Sequence, residues 1–158
     1  MGGSVNAPVI RRAAAEDIPR IAEIFGAARL MAYRDLVPEA DILASSDPAR
    51  PKWRSLLESE KTDFLVAEHS GQVMAMAILE VPKLESLHVH PDAQGTGIGR
   101  ALLEHCRART GVGMELYCLA GNDRAIAFYE KAGMRRTGRV DQDVFGTIYP
   151  ALRFVFDD

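Results

Sequence analysis

Residues 88–100 read His-Val-His-Pro-Asp-Ala-Gln-Gly-Thr-Gly-Ile-Gly-Arg, a run whose residue types suit the binding of an anion. Leu87 and Val89 have the apolar character of a strand end, and Pro91 stops the strand because proline brings no N–H to a ladder. Gly95, Gly97 and Gly99 let the backbone take conformations closed to other residues and approach a ligand closely. Ile98, Ala101, Leu102 and Cys106 then recur at helical spacing. A helix with bare first-turn N–H groups behind a glycine loop attracts anions through those donors and through its dipole. The expected ligand group is a phosphate or pyrophosphate.

Three phosphate motifs compete for this stretch. The Walker loop ends in Gly-Lys-Ser/Thr, whereas Gly99 is followed by Arg100 and Ala101. The dinucleotide fingerprint G-x-G-x-x-G fails from Gly95, where its third glycine falls on Arg100, and from Gly97, where it falls on Leu102. The pattern Gln/Arg-x-x-Gly-x-Gly/Ala is met by Gln94, Gly97 and Gly99. It resembles the pyrophosphate signature of the GCN5-related N-acetyltransferase (GNAT) family; on the plainer reading the glycines only turn the chain.

A second segment strengthens the resemblance. Asn122 is a good helix cap and Gly133 a good left-handed terminator, and between them Asn122, Ala125, Ile126 and Tyr129 share one helical face. In the family the equivalent helix carries an Asn that bonds the pantetheine arm and a Tyr beside the thioester sulfur. The Phe-Tyr-Glu-Lys-Ala-Gly-Met ending is close to the family's form, and the resemblance runs from about residue 8 onward. It implies transfer of an acetyl group from acetyl-CoA to a primary amine by direct attack. It also implies that the main chain of Leu87, His88 and Val89 pairs with pantetheine, and that Gln94, Gly95, Thr96, Gly97, Ile98, Gly99 and Arg100 surround the pyrophosphate. Tyr129 takes the family's acid position; packing on the thioester is the plainer alternative. A non-catalytic module that only binds or senses acyl-CoA is the competing class, and a nicotinamide oxidoreductase a distant third.

The base stays open. Protein amino-terminal acetyltransferases of the family commonly carry a Glu five residues before the Asn, where this chain has Tyr117. Glu85, His88, Glu115 and a bound water are the alternatives. Strand alternation places Glu85 on the face of Leu87 and Val89, and His88 on the other, unless a bulge intervenes. The ordinary pKa of histidine suits a base. His90 reads as solvated, and Cys106 and Cys118 as small buried hydrophobes without an adjacent base. No His, Cys, Asp or Glu pair has metal-ligand spacing, so no metal is expected. Met31, Tyr33, Arg34 and Trp53, with Asp141 and Asp143 opposite, could border an acceptor groove.

These groups need a scaffold, and 158 residues suffice for one domain with a filled core. Hydrophobic residues at 47% and charged ones at 26% are ordinary, and a net charge of −3 offers no general field for nucleic acid. With no secretory signal or apolar run of spanning length, a cytoplasmic protein without membrane contact is expected. Residues 1–8 read as a flexible leader and 9–158 as a single acetyltransferase domain. The pattern gives strands over 9–12, 64–68, 73–81, 84–89, 114–119, 138–144 and 148–156. Helices are expected from Asp17, over 52–60, over 97–109 and from Asn122, with a turn-rich link over 31–47. This order implies an α/β domain: by resemblance the acyltransferase fold, a mixed, mostly antiparallel sheet with splayed central strands flanked by helices. The Tyr-Pro-Ala-Leu-Arg-Phe-Val-Phe ending could pair with another subunit's edge to form a homodimer.

Overall fold

The computed structural model describes residues 7–144 and 146–158; most of the expected leader lies outside them. Seven strands form one sheet in the order β1-β2-β3-β4-β5-β7-β6. They are β1 (Val9–Arg12), β2 (Asp63–His69), β3 (Gln72–Glu80), β4 (Lys83–Val89), β5 (Glu115–Leu119), β6 (Arg135–Val144) and β7 (Thr147–Val155). Neighbours are antiparallel except β4 and β5. Ser70 and Gly71, both with positive φ, close the β2–β3 hairpin in the handedness that matches strand twist.

The sheet is covered on both faces, which is why β3 reads as an unbroken apolar run. Its Met76 and Ile78 join one core with α1 (Ile18–Tyr33) and α3 (Pro51–Glu58), where Ile21, Ile24, Phe25 and Trp53 are buried. Ala75, Ala77 and Leu79 join the other, with Leu102, Cys106, Ile126 and Tyr129 from α4 (Ile98–Thr110) and α5 (Asp123–Lys131). Asp17 precedes α1 as expected, but its carboxylate does not cap it. It accepts from the Ala14 N–H at 2.8 Å and from Arg11 Nη1 at 2.7 Å, tying β1 to the helix start.

Two regions depart from the sequence reading. The supposed link holds α2 (Glu39–Ser45), with Pro38 at its cap and Glu39 and Asp41 in the first turn. Proline starts a helix as readily as it ends one. The C-terminal strand β7 lies between β5 and β6, with both edges used, so the pairing edge proposed for it does not exist. Within the described residues no helix is long and apolar enough to cross a membrane.

What positions the site is the junction of β4 with β5. Their only register pair is Lys83↔Glu115, extended by the Glu115 N–H donating to the Pro82 carbonyl at 2.9 Å. Beyond it the two parallel strands part. A bulge also breaks β4: Ile78 pairs with Ser86 but Leu79 with Leu84, leaving Glu85 as the extra residue.

Candidate functional site

The parting of β4 and β5 opens a cavity of about 1070 Å³ that runs across the sheet end. One wall is the free edge of β4, from Glu85 to Val89, whose other edge is bonded to β3. A strand edge without a neighbour presents N–H and C=O groups that need partners. This edge includes the main chain of Leu87, His88 and Val89, the residues expected to pair with pantetheine.

The glycine loop closes one end of this cavity. Gly95 and Gly97 have φ of 81° and 90°, and Gly97 is the residue before α4. A Cβ at either would meet nothing within 4 Å, so the open side of the loop faces space rather than protein. Gly99 is small for another reason: its Cβ would lie 3.1 Å from Val89 Cγ2, so it lets α4 pack on β4. Thr96 turns inward, its hydroxyl donating to the Ala93 carbonyl at 2.5 Å, and Ile98 is buried in the core. Neither side chain lines the cavity. Gln94 Nε2 donates to the Val89 carbonyl at 3.4 Å, latching the loop to β4, while its Oε1 is buried with no partner among the described residues. Arg100 stands on the rim and bonds Glu104 at 3.0 Å. His90 is not merely solvated, since its Nδ1 accepts the Asp92 N–H at 3.1 Å and holds the turn.

From the opposite side α5 brings Asn122, Ala125, Phe128 and Tyr129 to the cavity. Asn122 Oδ1 caps the helix by accepting the Ala125 N–H at 3.3 Å. Tyr129 is 9% exposed, and among the described residues its hydroxyl has no hydrogen-bond partner. Burial, with Cys118, Tyr33 and Cys106 around it, raises its pKa well above the usual phenol value. It stays protonated at any working pH.

The bulge changes the expected faces of β4. Leu84 and Leu87 both pack on the α4–α5 core, so Glu85 falls on the side of His88 rather than that of Leu87 and Val89. There it pairs with Lys83 at 3.0 Å and acts on Lys52. His88 stands edge-on to Phe25, ring centroids 5.1 Å apart. Burial, then the charges of Arg29 and Lys52, push its pKa down to about 3. The ordinary histidine value that recommended it as a base does not hold in this place. Glu115 is off the cavity wall and paired with Arg153 at 2.9 Å. Cys106 and Cys118 are buried, and burial pushes both thiols up to about 12.

Of the residues considered for the acceptor side, Met31, Tyr33 and Asp143 line the cavity, whereas Arg34, Trp53 and Asp141 do not. Trp53 is core, donating from Nε1 to the Asp47 carbonyl at 2.9 Å. The sequence reading missed Arg29, Arg50 and Lys52 on this wall. Arg29 had one available signal, a charge four residues after Phe25 on the buried stripe of α1.

Comparison with known proteins agrees with this geometry. The profile described as an acetyltransferase (GNAT) domain matches residues 60–135. Peptidyl-lysine N-acetyltransferase YjaB of Escherichia coli is 28% identical over 121 residues, 73% of this chain and 71% of YjaB. Its solution structure in the apo form superposes with a TM-score of 0.77 at 26% identity, covering 95% of this chain and 97% of that one. YncA of Salmonella typhimurium, solved with acetyl-CoA, gives 0.62 at 25% identity over 96% and 94% of the two chains. PaiA N-acetyltransferase of Thermoplasma acidophilum, solved with coenzyme A, shares the fold at 0.75 and 19% identity, covering 92% and 98%.

Proposed function

The chain belongs to the GNAT family of acetyl-CoA-dependent N-acetyltransferases, and on that premise we propose which of its residues hold acetyl-CoA and move the protons of acetyl transfer. The observation that carries the reading is the single register pair between β4 and β5, followed by an open edge that ends at left-handed glycines. Pantetheine contains two amides, which the exposed edge of Leu87, His88 and Val89 suits as an added strand would. The pyrophosphate goes to the bare N–H groups of residues 97–100, where the helix dipole adds a favourable field. Asn122 spends its oxygen on the cap and keeps its amide N–H2 for the arm.

Acetyl-CoA supplies the activated acetyl group. The incoming amine must be neutral to attack; a new C–N bond forms, the C–S bond breaks, and the departing sulfur takes a proton. Tyr129 is the donor: it is protonated, its hydroxyl is uncommitted, and it faces the cavity beside Cys118. Glu85 is the better placed of the two expected bases. It lies on the cavity wall, paired with Lys83. His88 shapes the wall with Phe25. YjaB is named for a lysine acceptor; here three basic side chains on the acceptor wall suit a lysine-rich peptide poorly. The two buried thiols fit a reducing cytoplasm.

Release of free thiol from acetyl-CoA, followed across a panel of primary amines, tests the reading. Amine-dependent release is expected. Tight acetyl-CoA binding with no release for any amine would replace catalysis by cofactor sensing.

A further inference from the structure

The cavity wall on the α1 and α3 side gathers positive charge around Phe25. The guanidinium carbon of Arg29 lies 4.5 Å from the Phe25 ring centroid, and Lys52 Nζ lies 5.3 Å from it. Arg29 is 8% exposed and donates to Ser45 Oγ at 3.2 Å, while Arg50 donates to the Ser45 carbonyl at 2.8 Å. One residue of α2 thus anchors both guanidinium groups. Among the described residues neither Arg50 nor Lys52 has a carboxylate at ion-pair distance.

This crowding is unfavourable in the protein alone. Burial first, and then Arg50, lowers the pKa of Arg29; burial first, and then Arg50 and Arg29, lowers that of Lys52. Two cations without a carboxylate at ion-pair distance, Arg50 and Lys52, kept together on a partly apolar wall are a mark of ligand binding. The pyrophosphate cannot be their partner. Its site is the loop before α4, whereas these cations lie on the opposite face of β4, with His88 and Phe25. The same cavity also exposes Glu85 and Asp143, so it offers charge of both signs.

We propose that the acceptor is a small zwitterion, a primary amine carrying a carboxylate, whose carboxylate seats among Arg29, Arg50 and Lys52 while its amine faces Glu85. The inference rests on the acetyltransferase reading and narrows its substrate. The ammonium first loses one proton, through Glu85 to solvent. The nitrogen then bonds the acetyl carbon as the C–S bond breaks, and its second proton balances the one Tyr129 gives the departing sulfur. The product keeps its carboxylate but not the ammonium charge.

The test is kcat/KM with acetyl-CoA for α- and ω-amino acids, each beside its own carboxamide, with a lysine-rich peptide in the same panel. At least one amino acid should exceed its carboxamide by about 10-fold or more, the worth of one charged contact. Lys52→Met and Arg50→Met should pull that ratio toward one through KM of the acceptor, with the acetyl-CoA Kd from calorimetry showing that each variant is folded. Lys52 is on the surface of α3 and its loss leaves the core intact. Carboxamides or the lysine peptide equalling the acids, a ratio unmoved in both variants, or no turnover of any amino acid by acetyl-CoA-bound protein would each overturn the inference. Absence of acetyl-CoA binding would instead overturn the transferase reading beneath it.

Discussion

At the scale of single residues, the account turns on two titratable groups, the buried Tyr129 and the half-buried His88, whose pKa values desolvation pushes in opposite directions. Tyr129 keeps its proton, so it can only donate; Tyr129→Phe should lower kcat by roughly 100-fold while leaving acetyl-CoA binding near normal. Stopped thiol-release kinetics across pH measure this, and an unchanged kcat would remove Tyr129 from proton transfer. His88 is held neutral. In the folded chain it resists protonation down to about pH 3, whereas the unfolded chain takes up that proton near the ordinary histidine value of 6.5. Between those limits the unfolded state binds more protons, so this group's contribution is full above about 6.5 and is lost as the pH falls toward 3. Thermal melts of His88→Gln should therefore lose less Tm than wild type on acidification through that window. An equal loss would show that His88 is not held neutral by its surroundings. Neither shift was legible in the sequence. Both depend on neighbours such as Cys118, Arg29 and Lys52, which come from other elements.

At the scale of elements, the loop between β4 and α4 carries the binding argument, and its glycines divide by task. Gly97 needs a left-handed φ, and its Cβ would enter open space where the ligand is expected. Gly97→Ala should cost on the order of 1–2 kcal/mol in backbone strain and raise the acetyl-CoA KM more than it lowers kcat. A variant with wild-type KM would put the pyrophosphate elsewhere. Gly99 serves packing against Val89 and Phe128, a distinction that the bare repeat of glycines does not reveal. The helix after Asn122 and the strand–loop–helix run were readable because their caps, breaks and apolar spacing are local signals. The bulge at Glu85 was not, since it exists only in the pairing with β3. Nor was α2, whose two flanking prolines, Pro38 and Pro48, read as breaks when the first is a start.

At the scale of the whole molecule, two cores on opposite sheet faces let the sheet part in the middle without falling open. The core with α1 and α3 steadies β2 and β3, and β7 with β6 steadies β5. The cavity between them was expected only through family resemblance, because no run of residues states which strands will fail to pair. Arg29 from α1, Arg50 from the cap of α3 and Lys52 from α3 meet there, so their charge belongs to the fold rather than to any motif. The central claim is that the open β4 edge and the N–H groups at Gly97 together hold acetyl-CoA. Isothermal titration of acetyl-CoA into wild type and Gly97→Val addresses it directly. The account predicts one site per chain in wild type and a loss of most of the affinity in the variant, with both proteins folded by circular dichroism. No heat from folded wild type, or equal affinity in Gly97→Val, would contradict it.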